Sequence, residues 1–299
     1  MNTSFIVQEI INGISLGALY ALIAVGYTMV YGVIRLINFA HGDIMMVGCF
    51  IAYFLLLKLK LPWIIALILS AILTGFVGVL IDKIAYKPLR DRGAARIINL
   101  ITAVGVSFLL ESLFVVVLGG IPRAFPVPDI FNKEIVFGDI HLSFATIATI
   151  IIGLISVGIL FYIVYKTKIG MAMRAISVDF ETTKLMGVDV DKVISFTFFI
   201  GSALAAISGF MWAVQFPSID PYMGIIPGIK AFVAAVFGGI GSVIGAVVGG
   251  FIIGILEVII AGFFPSIAEY RDAIIFLILI LTLLIKPTGL FGEKLEEKV

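Results

Sequence analysis

Charge is scarce in this sequence: 13% of its 299 residues are Asp, Glu, Lys or Arg, against about 25% in a typical soluble domain. A disordered chain is excluded too, because disorder needs low hydrophobicity and this chain is 62% hydrophobic. Neither sign of charge dominates. The 20 Lys and Arg against 19 Asp and Glu leave a formal charge of +1, so there is no whole-chain attraction for nucleic acid. The single cysteine, Cys49, excludes an intrachain disulfide, and its apolar flanks mark it as a small core residue rather than a nucleophile. Also missing are a phosphate-binding GxxxxGK[ST] loop, a nucleophile elbow and zinc-type spacing. No catalytic residue, metal or cofactor is therefore expected on this chain, and any ATP-driven step would need an ATPase on another chain.

What is present is hydrophobic sequence in long uncharged runs, with a mean hydropathy of +1.22. A helix needs roughly 20 mostly apolar residues to cross a bilayer core. Residues 10–31, 62–81, 97–118, 142–165, 194–215 and 273–285 supply such runs, interrupted among the charged residues only by Glu111, and 44–57 is a shorter one. The stretch 229–262 is too long for one span, and Gly238, Gly239, Gly241, Gly245, Gly249 and Gly250 break it. It reads as two crossings, or as one crossing and a re-entrant piece. The expected fold is all-α: a polytopic helical membrane protein forming a single transmembrane domain over residues 1–299. No cleavable signal peptide is expected, since the first nine residues hold Glu9 and no base.

Orientation follows the bases, which cytoplasmic loops retain. Lys83, Lys87, Arg90, Arg92 and Arg96 form one cluster; Lys166, Lys168, Arg174, Lys184 and Lys192 form another; Lys286, Lys294 and Lys298 close the chain. Placing these and Arg35 inside puts 14 of 20 bases on the cytoplasmic side, and the reverse orientation puts only five there. The N-terminus and residues 119–141 then lie outside. Bringing the tail inside requires 229–262 to cross twice, giving about nine crossings with the N-terminus out and the C-terminus in.

Four features carry candidate function. The loop at residues 82–96 is short and basic, as a positive-inside anchor should be. The largest cytoplasmic loop, 166–193, is of mixed charge, and Arg174–Met186 reads as a short amphipathic helix ended by Gly187, with Ile176, Phe180 and Thr183 on one face. Such a helix either lies against lipid headgroups or docks on a cytoplasmic partner. The segment VIRLINFAHGD, residues 33–43, places Asn38, His41, Gly42 and Asp43 between two apolar helices. Polar backbone at that depth is tolerated only when packed in protein or lining a wet cavity; a metal there would need more ligands than His41 and Asp43. Finally, Glu111 and Glu257 are intramembrane acids, with either a functional or a helix-to-helix role. Glycines four apart, as in Gly241, Gly245 and Gly249 or Gly250 and Gly254, allow close helix approach, and a helix break at Gly238, Gly239 and Gly241 would alternatively face a pore.

Three segments, YGVIRLINFAHGDIMMVGCF, RAISVDFETTKLMGVDVDK and KAFVAAVFGGIGSVIGAVVGG, together resemble the LivH-type permeases of bacterial ABC importers for branched-chain amino acids. The resemblance is collinear over essentially the whole chain. It implies a permease in the bacterial cell (inner or cytoplasmic) membrane that works with a second, LivM-like permease, two cytoplasmic ATPases that bind ATP and Mg, and an extracytoplasmic substrate-binding protein. Related permeases carry urea or other small solutes, and a stand-alone ion-coupled carrier is the reading from another class. The family's coupling helix, with its EAA-x3-G pattern, is matched here by Glu181, Thr182 and Thr183 followed by Gly187, with both alanines replaced. Arg174, Asp179, Glu181, Lys184 and Gly187 are accordingly the residues expected to couple to the ATPase.

Overall fold

A computed structural model describes residues 3–292. Lys294 and Lys298, counted above among the cytoplasmic bases, lie outside the described residues. Helix α1 (Thr3–Ile34), α2 (His41–Leu57) and α3 (Trp63–Ile81) come first; α3 runs on through a π-turn at Asp82–Tyr86 into α4 (Lys87–Asp91). Then follow α5 (Arg96–Leu118), strand β1 (Arg123–Ala124) and the antiparallel hairpin of β2 (Glu134–Phe137) and β3 (Ile140–Ser143). The remainder is α6 (Phe144–Lys166), α7 (Lys168–Val178), α8 (Phe180–Leu185), α9 (Val190–Gln215), β4 (Ser218–Ile219), α10 (Ile225–Gly238), α11 (Val243–Phe263) and α12 (Arg271–Ile285).

Six spans are long and apolar enough to cross a bilayer: α1, α3 with its extension, α5, α6, α9 and α11. The apolar helices α2 and α10 are shorter, 17 and 14 residues. Over the most apolar windows of α1 and α9, 72% of the residues are buried, against 22% for α5 and 28% for α6. So α1 and α9 form the centre, and α5 and α6 present apolar side chains such as Val116, Val117, Leu154 and Tyr162 outward, as hydrocarbon surroundings allow.

Small residues set the helix spacing. A Cβ added at Gly13 would sit 2.9 Å from Ile255 Cα, and one at Gly254 or Gly250 would overlap the backbone of Gly17 or Ala21. One glycine face of α11 therefore lies on α1. The other, Gly245 and Gly249, lies on the backbone of Gly238 and Ala234 in α10. No hydrophobic effect drives helices together in lipid, so this closeness, which maximises dispersion contact, holds the seam.

Helix ends follow local chemistry. The side chains of Ser143, Thr167, Asp179, Asp189 and Ser242 cap the N-termini of α6, α7, α8, α9 and α11 in turn. The single helix expected over Arg174–Met186 is corrected by the structure: it is broken at Asp179, whose extended backbone ends α7 and whose carboxylate accepts from Thr182 N at 3.0 Å to start α8. Aspartate competes for backbone donors as an N-cap better than it serves inside a helix. Gly187 takes the expected C-terminal role, with φ of 84°. Gly187 N donates to Lys184 O and Val188 N to Thr183 O, the paired bonds that close a helix in this way.

Candidate functional site

The polar segment after α1 turns back into the membrane. A Cβ on Gly26 would strike the His41 ring, and Gly26 lies eight residues before Ile34, about 12 Å along the helix. Helix α2 thus begins at depth and runs outward; Met45, four residues on, backs onto Gly209 of α9. From the opposite side comes the start of α10. A Cβ on either Gly42 or Gly224 would overlap the other's backbone, and one at Gly228 would sit 2.9 Å from Gly42 Cα. With 14 residues, α10 is about 21 Å long, and its far end, Gly238, packs on Gly245 at the start of α11. Two short helices, of 17 and 14 residues, therefore meet N-terminus to N-terminus inside the bundle.

Beside that meeting point is a cavity of about 630 Å³, bounded by α1, α2, α5, α10 and α12. Its walls are mostly apolar, including Phe39, Phe108, Ile229, Phe232 and Leu279, and its acidic residues are Asp43 and Glu111. Both acids are buried, at 2% and 8% exposure. Asp43 Oδ2 accepts from Ser107 Oγ at 2.5 Å, and the carboxyl groups of Asp43 and Glu111 adjoin, so that one proton can be shared between them. No lysine or arginine is among the residues lining the cavity.

The residues singled out at 33–43 divide into two sets. Gly42 and Asp43 line the cavity. Asn38 and His41 build the turn instead: Asn38 Oδ1 accepts from Tyr86 Oη at 2.7 Å, His41 N donates to Asn38 O at 3.0 Å, and the His41 ring packs 4.7 Å from that of Tyr27. Asn38 thereby ties the turn to the π-turn after α3. That region is braced in turn to the start of α9, where Arg90 bridges Asp82 at 3.2 Å and Asp191 at 2.9 Å, Lys87 pairs with Asp191 at 2.8 Å, and Ser195 donates to Asp82 at 2.7 Å. A continuous set of contacts leads from the end of the 166–193 loop to the cavity edge.

In that loop, Glu181 and Lys184 sit on the exposed face of α8, beside the exposed apolar Leu185 and Met186. Arg174 is exposed but lies back on the end of α6, donating to Val164 O, with its guanidinium 5.4 Å from the Tyr165 ring centre. Gly238 and Gly239 are packing positions, the first against Gly245 and the second against the backbone of Phe291 and Gly292. Gly241 has open space around its Cβ position and lines a second cavity, with Arg35 and Arg174, at the far end of α10.

Sequence reasoning missed the partners of the intramembrane acids. Glu257 Oε1 is 2.6 Å from Lys230 Nζ and 3.4 Å from Arg271 Nε, and Glu257 Oε2 accepts from Tyr20 Oη at 2.8 Å. Nothing in the spacing of residues 20, 230, 257 and 271 marks them as neighbours. No group of three or more potential metal ligands occurs among the described residues.

Short helices meeting end to end at a cavity inside a polytopic bundle suit a solute-translocating membrane protein. Residues 9–283 match the family described as branched-chain amino acid transport system / permease component. The chain is 38% identical to the high-affinity branched-chain amino acid transport system permease protein LivH of Escherichia coli (strain K12), covering 99% of this chain and 98% of that protein. It is 38% identical to the BraD permease protein of Pseudomonas aeruginosa, covering 98% and 97%. A more distant likeness, 26% over 89% of this chain and 82% of the relative, is to the ribose import permease protein RbsC of Haemophilus influenzae. No solved structure matches the chain. The chain belongs to the branched-chain amino acid permease family. It is a multi-pass membrane protein and a transport component, not an enzyme.

Proposed function

We propose that this chain is the membrane-spanning permease subunit of an ATP-driven importer for leucine, isoleucine and valine. The observation that carries this reading is the full-length likeness to permeases named for branched-chain amino acid transport. The cavity supports it, since about 630 Å³ with apolar walls and a few buried polar groups suits a small amphiphile with an aliphatic side chain. The partners are two cytoplasmic ATPases that hold ATP and Mg, a second LivM-like permease, and an extracytoplasmic binding protein that delivers substrate. The protein sits in the bacterial inner (cytoplasmic) membrane with its N-terminus outside and its C-terminus inside, as one transmembrane domain.

In this reading the loop 166–193 docks on an ATPase through α8, presenting Glu181 and Lys184, while Asp179 and Gly187 fix its two ends and Arg174 anchors the preceding α7 to α6. Asn38 and His41 hold the re-entrant turn, Gly42 and Asp43 face the path, and Gly238, Gly239 and Gly241 shape the inner end of α10. A second reading, import of another small polar solute, is favoured by the ribose permease among the relatives. Mild-detergent isolation of the chain from its native membrane, with mass spectrometry of what accompanies it, tests the partner set. An ATPase and a second permease should co-purify; recovery of the chain alone, under conditions that keep other complexes intact, would point to a stand-alone carrier.

A further inference from the structure

We propose that Asp43 and Glu111 form the recognition site for a primary ammonium group on the transported solute, within the cavity where α2 and α10 meet. This rests on the transport reading above and deepens it by assigning residues to one end of the substrate. A buried carboxylate is costly unless it is paired, and elsewhere in the chain that rule is kept. Buried Asp82 has Arg90 at 3.2 Å, and buried Glu257 has Lys230 at 2.6 Å. Asp43 and Glu111 are the exception among the buried acids of the described residues: neither is paired with a lysine or arginine, and around them stand Ser107, the backbone N–H of Asp43 and one another. They stand in the wall of a cavity whose other surface is mainly hydrocarbon and which no base lines. A cation entering that space pairs with the negative charge that the two acids hold between them.

The chemistry of the rest of the cavity narrows the cation. An ammonium group has three N–H donors, matching two carboxylates and a hydroxyl such as that of Tyr27, which also lines the cavity. The apolar wall of Ile229, Phe232 and Leu279 accepts an aliphatic side chain. The N-terminal end of α2 already holds Asp43, while Gly224 brings the N-terminal end of α10 to the same cavity, and such an end favours a carboxylate. A bare metal ion would leave the hydrocarbon wall without a role, whereas an amino acid with an aliphatic side chain uses every part.

The test uses the assembled importer in detergent, with Ser107→Cys as reporter and Cys49, which is fully buried, replaced by alanine. Labelling of the thiol by 2-aminoethyl methanethiosulfonate, which carries an ammonium group, should be at least tenfold faster than by the anionic 2-sulfonatoethyl reagent. Added leucine should slow it, and Glu111→Gln or Asp43→Asn should abolish the charge preference. Equal rates for the two reagents, or a preference unchanged in both carboxylate variants, would overturn the proposal. A preference that depends on the carboxylates but ignores leucine would keep the ammonium site and remove the branched-chain reading. Should the thiol resist both reagents, uptake decides: Glu111→Gln and Asp43→Asn complexes that assemble normally yet import leucine at least tenfold more slowly support the site, and uptake within twofold of the parent overturns it.

Discussion

Lys230 Nζ stands 2.6 Å from Glu257 Oε1 and 2.8 Å from Asp272 Oδ1, with 4% of the lysine side chain exposed. One cation on α10 thus ties α11 to α12, and Arg271 adds a second contact to Glu257 at 3.4 Å. Removing one partner of a buried pair costs more than the pair contributes, because the other charge is left behind. Lys230→Met leaves Glu257 and Asp272 to share Arg271 and is expected to destabilise the protein by about 3 kcal/mol. Glu257→Gln leaves Lys230 with Asp272 and should cost less. Thermal unfolding of the detergent-solubilised variants measures the order; equal losses would show that the four acidic and basic groups do not act as one network.

The seam between α1 and α11 depends on hydrogen in place of a side chain. Gly254→Ala pushes a methyl group into the backbone of Gly17 and is expected to cost about 1–3 kcal/mol, in the range of overpacking changes. Gly105→Ala on α5 meets nothing within 4 Å and should leave stability unchanged or slightly raised. Side-by-side denaturation of the two variants checks this.

Coupling is tested at the two ends of the contact chain between loop and cavity. Gly187 has φ of 84° and open space at its Cβ position, so a side chain there meets backbone strain of roughly 1–2 kcal/mol rather than a clash. Gly187→Trp should abolish ATP-driven uptake while the protein stays in the membrane, and normal uptake would remove α8 from the coupling role. Tyr86→Phe deletes the 2.7 Å bond to buried Asn38 and should lower uptake severalfold with assembly retained.

Asp189 ends the loop and caps α9, accepting from Lys192 N at 3.1 Å and pairing with Lys192 Nζ at 2.8 Å. The hydrogen bonds from the Lys192 side chain and backbone hold its carboxyl below the usual carboxylate range. A depressed folded value means that the capping contribution is complete above the ordinary aspartate pKa and is lost as pH falls through the lower, folded one. Amide exchange at the start of α9 should therefore speed up, beyond its intrinsic pH trend, only on strong acidification, and Asp189→Ala should show the faster exchange at neutral pH.

Much of the fold was legible because apolar length is a strong signal: the runs at 10–31, 97–118 and 194–215 fall within long helices, and those at 62–81 and 142–165 start one and two residues before theirs, the latter in β3. The break at Gly239–Gly241 and the glycine seam were also visible as spacing. The start of α10 at Ile225 was not, because nothing apolar distinguishes Ile225 and Ile226 from the span they precede; the close approach of Gly224 and Gly228 to Gly42 marks that end only in the folded chain. The break between α7 and α8 shows a local competition, Asp179 as a cap against Asp179 inside a helix, that periodicity alone does not resolve. Within the candidate site, Gly42 and Asp43 could be named from their polarity at depth. Ser107, Gly224 and Gly228 could not, since they join the site only through helices distant in sequence.

The most direct test of the central claim is leucine uptake into proteoliposomes containing the complex isolated with this chain, with loaded binding protein outside the permease and ATP on the ATPase side. Accumulation that requires ATP hydrolysis, persists when proton and sodium gradients are collapsed, and is absent for this chain reconstituted alone is the predicted result. Uptake by this chain alone, driven by an ion gradient and indifferent to ATP, would contradict it.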